Sequence, residues 1–253
     1  MIITLSPAKL LDFESEISCL KGTNPIYEKA AVKLNSLLKG ASPDDIAALM
    51  NINPQLAQNT FEYIHAFDLP QTPKRQAVFA YNGIAYQGLD ARTLLGEDLT
   101  YAQGHLVLLS GMYGMLRPLD LIRPYRLEMH IKLPNSRGKN LYEHWSDTLT
   151  KHLSEMMMES GNAWVNLSSN EYSKVIDRKK LPENAQIITP IFKEARGSGY
   201  KQIVVYAKKA RGMMARFILQ HRIENPEYIK AFDTEGYSYS SQLSVGEQWV
   251  FVR

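Results

Sequence analysis

The sequence predicts an α/β fold, with a mixed central sheet flanked by helices, in a single domain over residues 1–253. Three observations carry that prediction. Apolar runs of strand length alternate along the chain with longer segments of helical period. Three of those runs, in "IITLSPAK", "LVLLSGMYG" and "WVNLSSNEY", break off in the same way, at Ser6, Ser110 and Ser168. No internal repeat, low-complexity tract or long linker divides the chain.

Taken in order, "MIITLS" reads as a strand. "NPIYEKAAVKLNSLLKG" reads as a helix, with Asn24 as N-cap, Pro25 at the first helical position and Gly40 just past the end. "SPDDIAALM" and "NPQLAQNTFEYIHAF" start the same way, so residues 24 to 70 form a helical insertion. "QAVFAYNG" is strand-like, and a short helix is expected near "DARTLLG". "HLVLLSG" is a buried strand, and "RPYRLEMHIKL" is extended because Pro124 biases Arg123 away from helix. "LYEHWSDTLTKHLSEMMMES" is a helix with Leu141, Trp145, Leu149 and Leu153 on one side. "AWVNLSS", "QIITPIFKE" and "YKQIVVYAKK" read as strands, the last two joined by a hairpin-like "ARGSG". A helix from about Arg211 to Ile223, a short one beginning at Pro226 and a strand in "EQWVFVR" complete the chain.

The composition, 45% hydrophobic and 22% charged over 253 residues, is that of an ordinary globular chain with a substantial core. No apolar run is long enough to span a membrane, and "MIITLSPAK" has no secretory pattern. Cys19 is the only cysteine, which excludes an internal disulfide and a multi-cysteine metal site and fits a cytoplasmic location. The six histidines show no metal-ligand spacing, and no phosphate loop or nucleophile elbow occurs. Neither a metal nor a cofactor is expected. The net charge of +3 is mild, but from Tyr200 to Ile223 there are six Lys or Arg residues and no Asp or Glu. That local imbalance suits an anionic partner.

Ligands of sheets with parallel strands bind outside the carboxyl ends of those strands. If the three serine-terminated strands are parallel neighbours, their loops bring together Lys9, Tyr113, Arg117, Asp120, Asn166, Ser169, Glu171 and Tyr172. A second feature lies in residues 43–67, where two short helices flank Asn51-Ile52-Asn53. A helix-hairpin-helix module carries glycines where Asn51 and Asn53 stand, with alanine at the position of Ala57. Asparagine is the best non-glycine substitute at positive φ. Backbone amides there would point at a DNA phosphate. An ordinary helical hairpin packed on the sheet fits the same spacing.

"LSPAKLLDF", "LSGMYGMLRPLDLIRPYRLEM", "WVNLSSNEY" and "YAKKARGMMARFI", in this order along the chain, together resemble the YaaA family of bacterial peroxide-stress proteins. The resemblance implies a cytoplasmic protein induced by hydrogen peroxide that limits free iron and the DNA damage it causes. It also implies a single-domain α/β fold with a helix-hairpin-helix element and a basic cleft that binds DNA, duplex or branched. Leu10 and Ser168 depart from the family's usual threonine and alanine.

On this reading Lys9, Arg117, Arg126, Lys208, Lys209 and Arg211 are the anion contacts. Asn51, Asn53, Asn166 and Ser169 are further DNA contacts, and Tyr113 and Tyr172 are stacking surfaces. Asp120, Glu128 and Glu171 are out of place in a pure phosphate clamp. Either they orient the arginines, or with Lys9 they form a catalytic set acting on DNA or a nucleotide. A small anionic ligand is a further candidate partner.

Overall fold

The first strand forms where its apolar run predicts: β1, Ile2–Leu5, is buried throughout. The computed structural model describes residues 1–17 and 21–253, so Cys19 lies outside the described residues. Three helices follow, α1 (Glu28–Leu38), α2 (Pro43–Met50) and α3 (Pro54–Ala66), and they are the expected insertion. Ser42 and Asp45 close a reciprocal capping box on α2, and Asn53 caps α3. Asn24 does not cap α1. The Pro25 carbonyl closes a turn onto the Glu28 amide at 3.2 Å, and the helix starts only after that turn.

Residues 75–80 differ from the strand predicted for "QAVFAYNG". They form a two-residue strand, β2 (Arg75–Gln76), and a single helical turn, α4 (Ala77–Ala80). The Ala77 and Val78 amides donate to the carbonyls of Asp120 and Pro118 at 2.8 and 3.0 Å, so they have partners without a longer ladder. Next come α5 (Ile84–Leu89), a 3₁₀ turn at Ala91–Thr93, and α6 (Gly96–His105). The expected short helix is only that turn, and α6 had no counterpart in the sequence reading.

The chain continues with β3 (Leu106–Ser110), β4 (Gly114–Leu116), β5 (Leu121–Ile122), α7 (Leu141–Glu159), β6 (Ala163–Asn166) and α8 (Asn170–Ser173). It ends with β7 (Gln186–Arg196), β8 (Gly199–Lys201), α9 (Val204–Gln220), β9 (Ser238–Val245) and β10 (Gln248–Val252). Here too the sequence misleads. "YKQIVVYAKK" leaves the sheet at Lys201, and its β-branched residues open a helix. Burial decides this, because Ala207, Ala210, Met214 and Ile218 fall on one face and are at most 3% exposed.

The main sheet is mixed, in the order β4-β3-β1-β6-β7-β10-β9, with β8 pairing β7. Strands β3, β1, β6, β7 and β10 run parallel, and antiparallel β4, β8 and β9 finish the edges. The sequence order reverses around β1, since β3 lies on one side of it and β6 on the other.

Helices α5 and α9 cross at unusually close range. A Cβ on Gly212 would strike the Ala85 carbonyl oxygen, and one on Gly88 would strike the Lys209 carbonyl oxygen. Alanine is intrinsically the better helix former by about 1 kcal/mol, but both obstacles are backbone atoms that have nowhere to go. Gly212→Ala is therefore expected to lower stability, by about 3 kcal/mol as an overpacked contact. The urea midpoint should fall with little change in slope, and an unchanged midpoint would contradict the close crossing.

Candidate functional site

The three serine-ended strands are parallel neighbours, as convergence requires. Ile3 stands opposite Leu106 on one side and Val165 on the other. The reversal at β1 opens a crevice between the loops that leave β1 and β6. Ser6 ties those loops together: its Oγ accepts the Ser169 amide at 2.8 Å and donates to Ser169 Oγ at 3.3 Å.

Above this junction lies a cleft of about 720 Å³. Its walls are the β1 loop through Leu10, the start of α5 from Asn82 to Tyr86, the segment Tyr125–Glu128, the β6 loop into α8, and Lys208 and Arg211 of α9. Gly111 controls one wall. A side chain there would collide with the backbone of Leu127 and Glu128, so its absence lets that segment pass against the end of β3.

The cleft collects Lys9, Arg126, Glu128, Ser169, Glu171, Tyr172, Lys208 and Arg211 from the sequence-predicted set. Arg126 and Glu128, two residues apart, do meet: Arg126 Nη2 donates to Glu128 Oε1 at 3.0 Å. Lys9 Nζ lies 3.6 Å from the same oxygen, while its own side chain stays mostly in solvent. Glu128 Oε2 and Arg126 Nε are buried without a hydrogen-bond partner among the described residues. Glu171 Oε1 pairs with His130 Nδ1 at 2.8 Å. Burial lowers the Arg211 pKa below its ordinary value, and no ion pair reaches it among the described residues.

The other predicted residues lie elsewhere. Tyr113 is fully buried, and its hydroxyl accepts the Arg123 amide at 3.1 Å, so its ring has no face for a ligand. Asp120 is fully buried as well. It accepts from the Arg117 guanidinium at 2.8 Å and from Thr23 Oγ1 at 2.7 Å, which makes the pair a brace between the loop after β4 and the segment before α1. Asn166 is spent inside the sheet on Thr4 and the Ser168 amide. Lys209 points away from the cleft and pairs with Glu235. Asn51 and Asn53 form the α2–α3 connection, and no residue from 43 to 67 lines the cleft.

Sequence reasoning missed the tyrosine floor. The Tyr125 hydroxyl bonds Tyr81 at 2.6 Å and Ser110 Oγ at 2.7 Å, and the Tyr86 hydroxyl donates to the Ser6 carbonyl at 3.1 Å. The only available signal was that Tyr125 adjoins Arg126 in a motif already singled out. The missed His130 lies just beyond, two residues after Glu128.

Comparison with known proteins settles the ancestry of this arrangement. The family model described as "Peroxide stress protein YaaA" matches residues 1–243. The chain belongs to the YaaA family. Its relatives include a UPF0246 protein of Hahella chejuensis, 45% identical over 256 residues, which span 100% of this chain and 99% of the relative. A UPF0246 protein of Burkholderia orbicola is 45% identical over 258 residues, 100% of this chain and 98% of the relative. One of Neisseria gonorrhoeae is 44% identical over 256 residues, again 100% of this chain and 98% of the relative.

In this YaaA-family chain, four cations and two carboxylates thus face one cleft above a floor of buried phenols. Among the described residues no helix is long and apolar enough to cross a membrane, and no group of three or more His, Cys, Asp or Glu is placed to hold a metal ion. Burial raises the Tyr125 pKa to about 12, with its bonds to Ser110 and Tyr81 opposing the shift. Burial also raises Tyr81, Tyr86 and Tyr172 well above the ordinary phenol value. A pKa raised on folding contributes stability that is complete below the unfolded value and is lost as pH climbs through the folded one. Stability should therefore hold up to about pH 10, the unfolded phenol value, and fall steeply toward pH 12. Absorbance at 295 nm should show these phenols ionising together with unfolding, and early ionisation of the whole set without unfolding would refute the dry floor.

Proposed function

We propose that this YaaA-family protein serves the oxidative-stress response in the cytoplasm by binding DNA along the basic cleft, thereby limiting iron-dependent damage. Membership in a peroxide-stress family supports the first part. One observation carries the second: Lys9, Arg126, Lys208 and Arg211 come from three separate segments to one crevice, and Arg211 has no acid to neutralise it among the described residues. Phosphate is the anion that such a set suits best.

The helical hairpin contributes less to this reading. The Asn51 and Ile52 amides already donate to the Ala47 carbonyl, and the Leu56 amide donates to Asn53 Oδ1. Residues 43–67 also hold three carboxylates, Asp44, Asp45 and Glu62, and no Lys or Arg. A second reading, catalysis on DNA or a nucleotide by Lys9 with Glu128 and Glu171, draws support from the Lys9–Glu128 pair at the cleft mouth. Asp120 drops out of that set because its oxygens are committed to Arg117 and Thr23.

Fluorescence anisotropy with a labelled duplex tests the binding. Affinity should fall with salt at a log-log slope of about −0.9 per phosphate contacted, so about −3 for three contacts. Lys208→Ala should reduce that slope by about one unit. An affinity insensitive to salt would remove the reading.

A further inference from the structure

The cleft contains a group that phosphate binding leaves unused. Glu128 is 6% exposed, and its Oε2 is buried with no hydrogen-bond partner among the described residues. Its other oxygen already takes Arg126 and lies near Lys9. A phosphodiester oxygen has no proton to offer Oε2, and leaving such an atom unpaired is costly. A ligand that reaches Glu128 from this cleft gains by bringing a hydrogen-bond donor as well as an anion.

Tyr86, Tyr125 and Tyr172 line the same space as a mostly buried aromatic floor against which a base can lie. Lys208 and Arg211 give the α9 wall its anion contacts. A volume of about 720 Å³ lies within the range of small-molecule sites and has room for a single nucleotide, free or part of a bound strand.

We propose that the cleft seats one nucleotide, with its phosphate on Lys208 and Arg211 and the N–H edge of its base on Glu128. Guanine is the matching base. Its ring N–H and adjacent amino group present two parallel donors to one carboxylate, whereas adenine and cytosine offer an amino group beside an acceptor, and uracil a single N–H. The proposal rests on the nucleic-acid reading of the cleft and narrows it to one residue of the ligand. The nucleotide comes either free in solution or swung out of a DNA strand.

Titration calorimetry on the full chain separates these cases. Guanosine, inosine, adenosine and uridine 5′-monophosphates and ribose 5-phosphate are titrated at low salt. The guanosine compound should bind at one site, at least about 10-fold more tightly than the inosine compound, which lacks the amino group, and more tightly still than ribose 5-phosphate. Glu128→Gln should abolish that preference, so that the guanosine and inosine compounds bind alike. The inosine comparison needs no variant, so a failure of the variant to fold leaves the test intact. A single-stranded oligonucleotide with one guanine that outbinds the mononucleotide assigns the site to DNA, and the reverse order assigns it to free nucleotide. Equal affinity for all five compounds, or binding of none, overturns the proposal. Salt-dependent duplex binding would survive that outcome, and its loss beside intact guanine preference would overturn only the DNA reading.

Discussion

Contact between the backbones of α5 and α9 is the constraint on which the site depends. Gly88 and Gly212 let each helix rest on the other's main chain. That distance sets how far Lys208 and Arg211 stand from the Asn82–Tyr86 wall. A side chain at either glycine would wedge the walls apart and weaken every interaction that needs both of them. Charge can focus on a ligand only where low-dielectric walls are close together. The apolar packing of two helices therefore precedes the electrostatics of the cleft.

Within that frame the carboxylates complement the cations. Glu128 fixes the Arg126 guanidinium from a position almost out of solvent, so Arg126 presents a defined face. Lys9 is loosely held by the same oxygen and keeps its freedom at the rim. Glu171 is turned toward His130. A buried cation alone would pay a large desolvation penalty, and a nearby acid offsets part of it. Arg211 stands without that compensation, which makes it the position most in need of an external anion.

Much of this was legible in the sequence, for reasons that differ by residue. Lys9, Ser169, Glu171 and Tyr172 could be found because each follows an apolar strand, and parallel strands send their loops to one side. Tyr113 and Tyr125 could not be told apart. Both lie in one motif, and only the turn after Ser110 decides that the first is entombed and the second lines the cleft. Asp120 and Glu128 posed the same difficulty, each close in sequence to an arginine. What separates them is Thr23, 97 residues from Asp120, which closes over it. The strand-like "QAVFAYNG" and "QIVVY" misled because local β-propensity lost to tertiary burial and to distant hydrogen-bond partners.

The central place of β1 has a consequence for how the chain reaches this structure. Its residues pair with Leu106–Leu108 on one edge and Trp164–Asn166 on the other. Once synthesised, this strand therefore has no paired neighbour until about a hundred further residues have followed, and its second edge waits for some sixty more. Contacts of such separation make folding slow and leave an apolar edge exposed in the interval. During translation, Ile2–Leu5 is thus an apolar segment that waits long for its partners and is exposed to wrong association in the meantime.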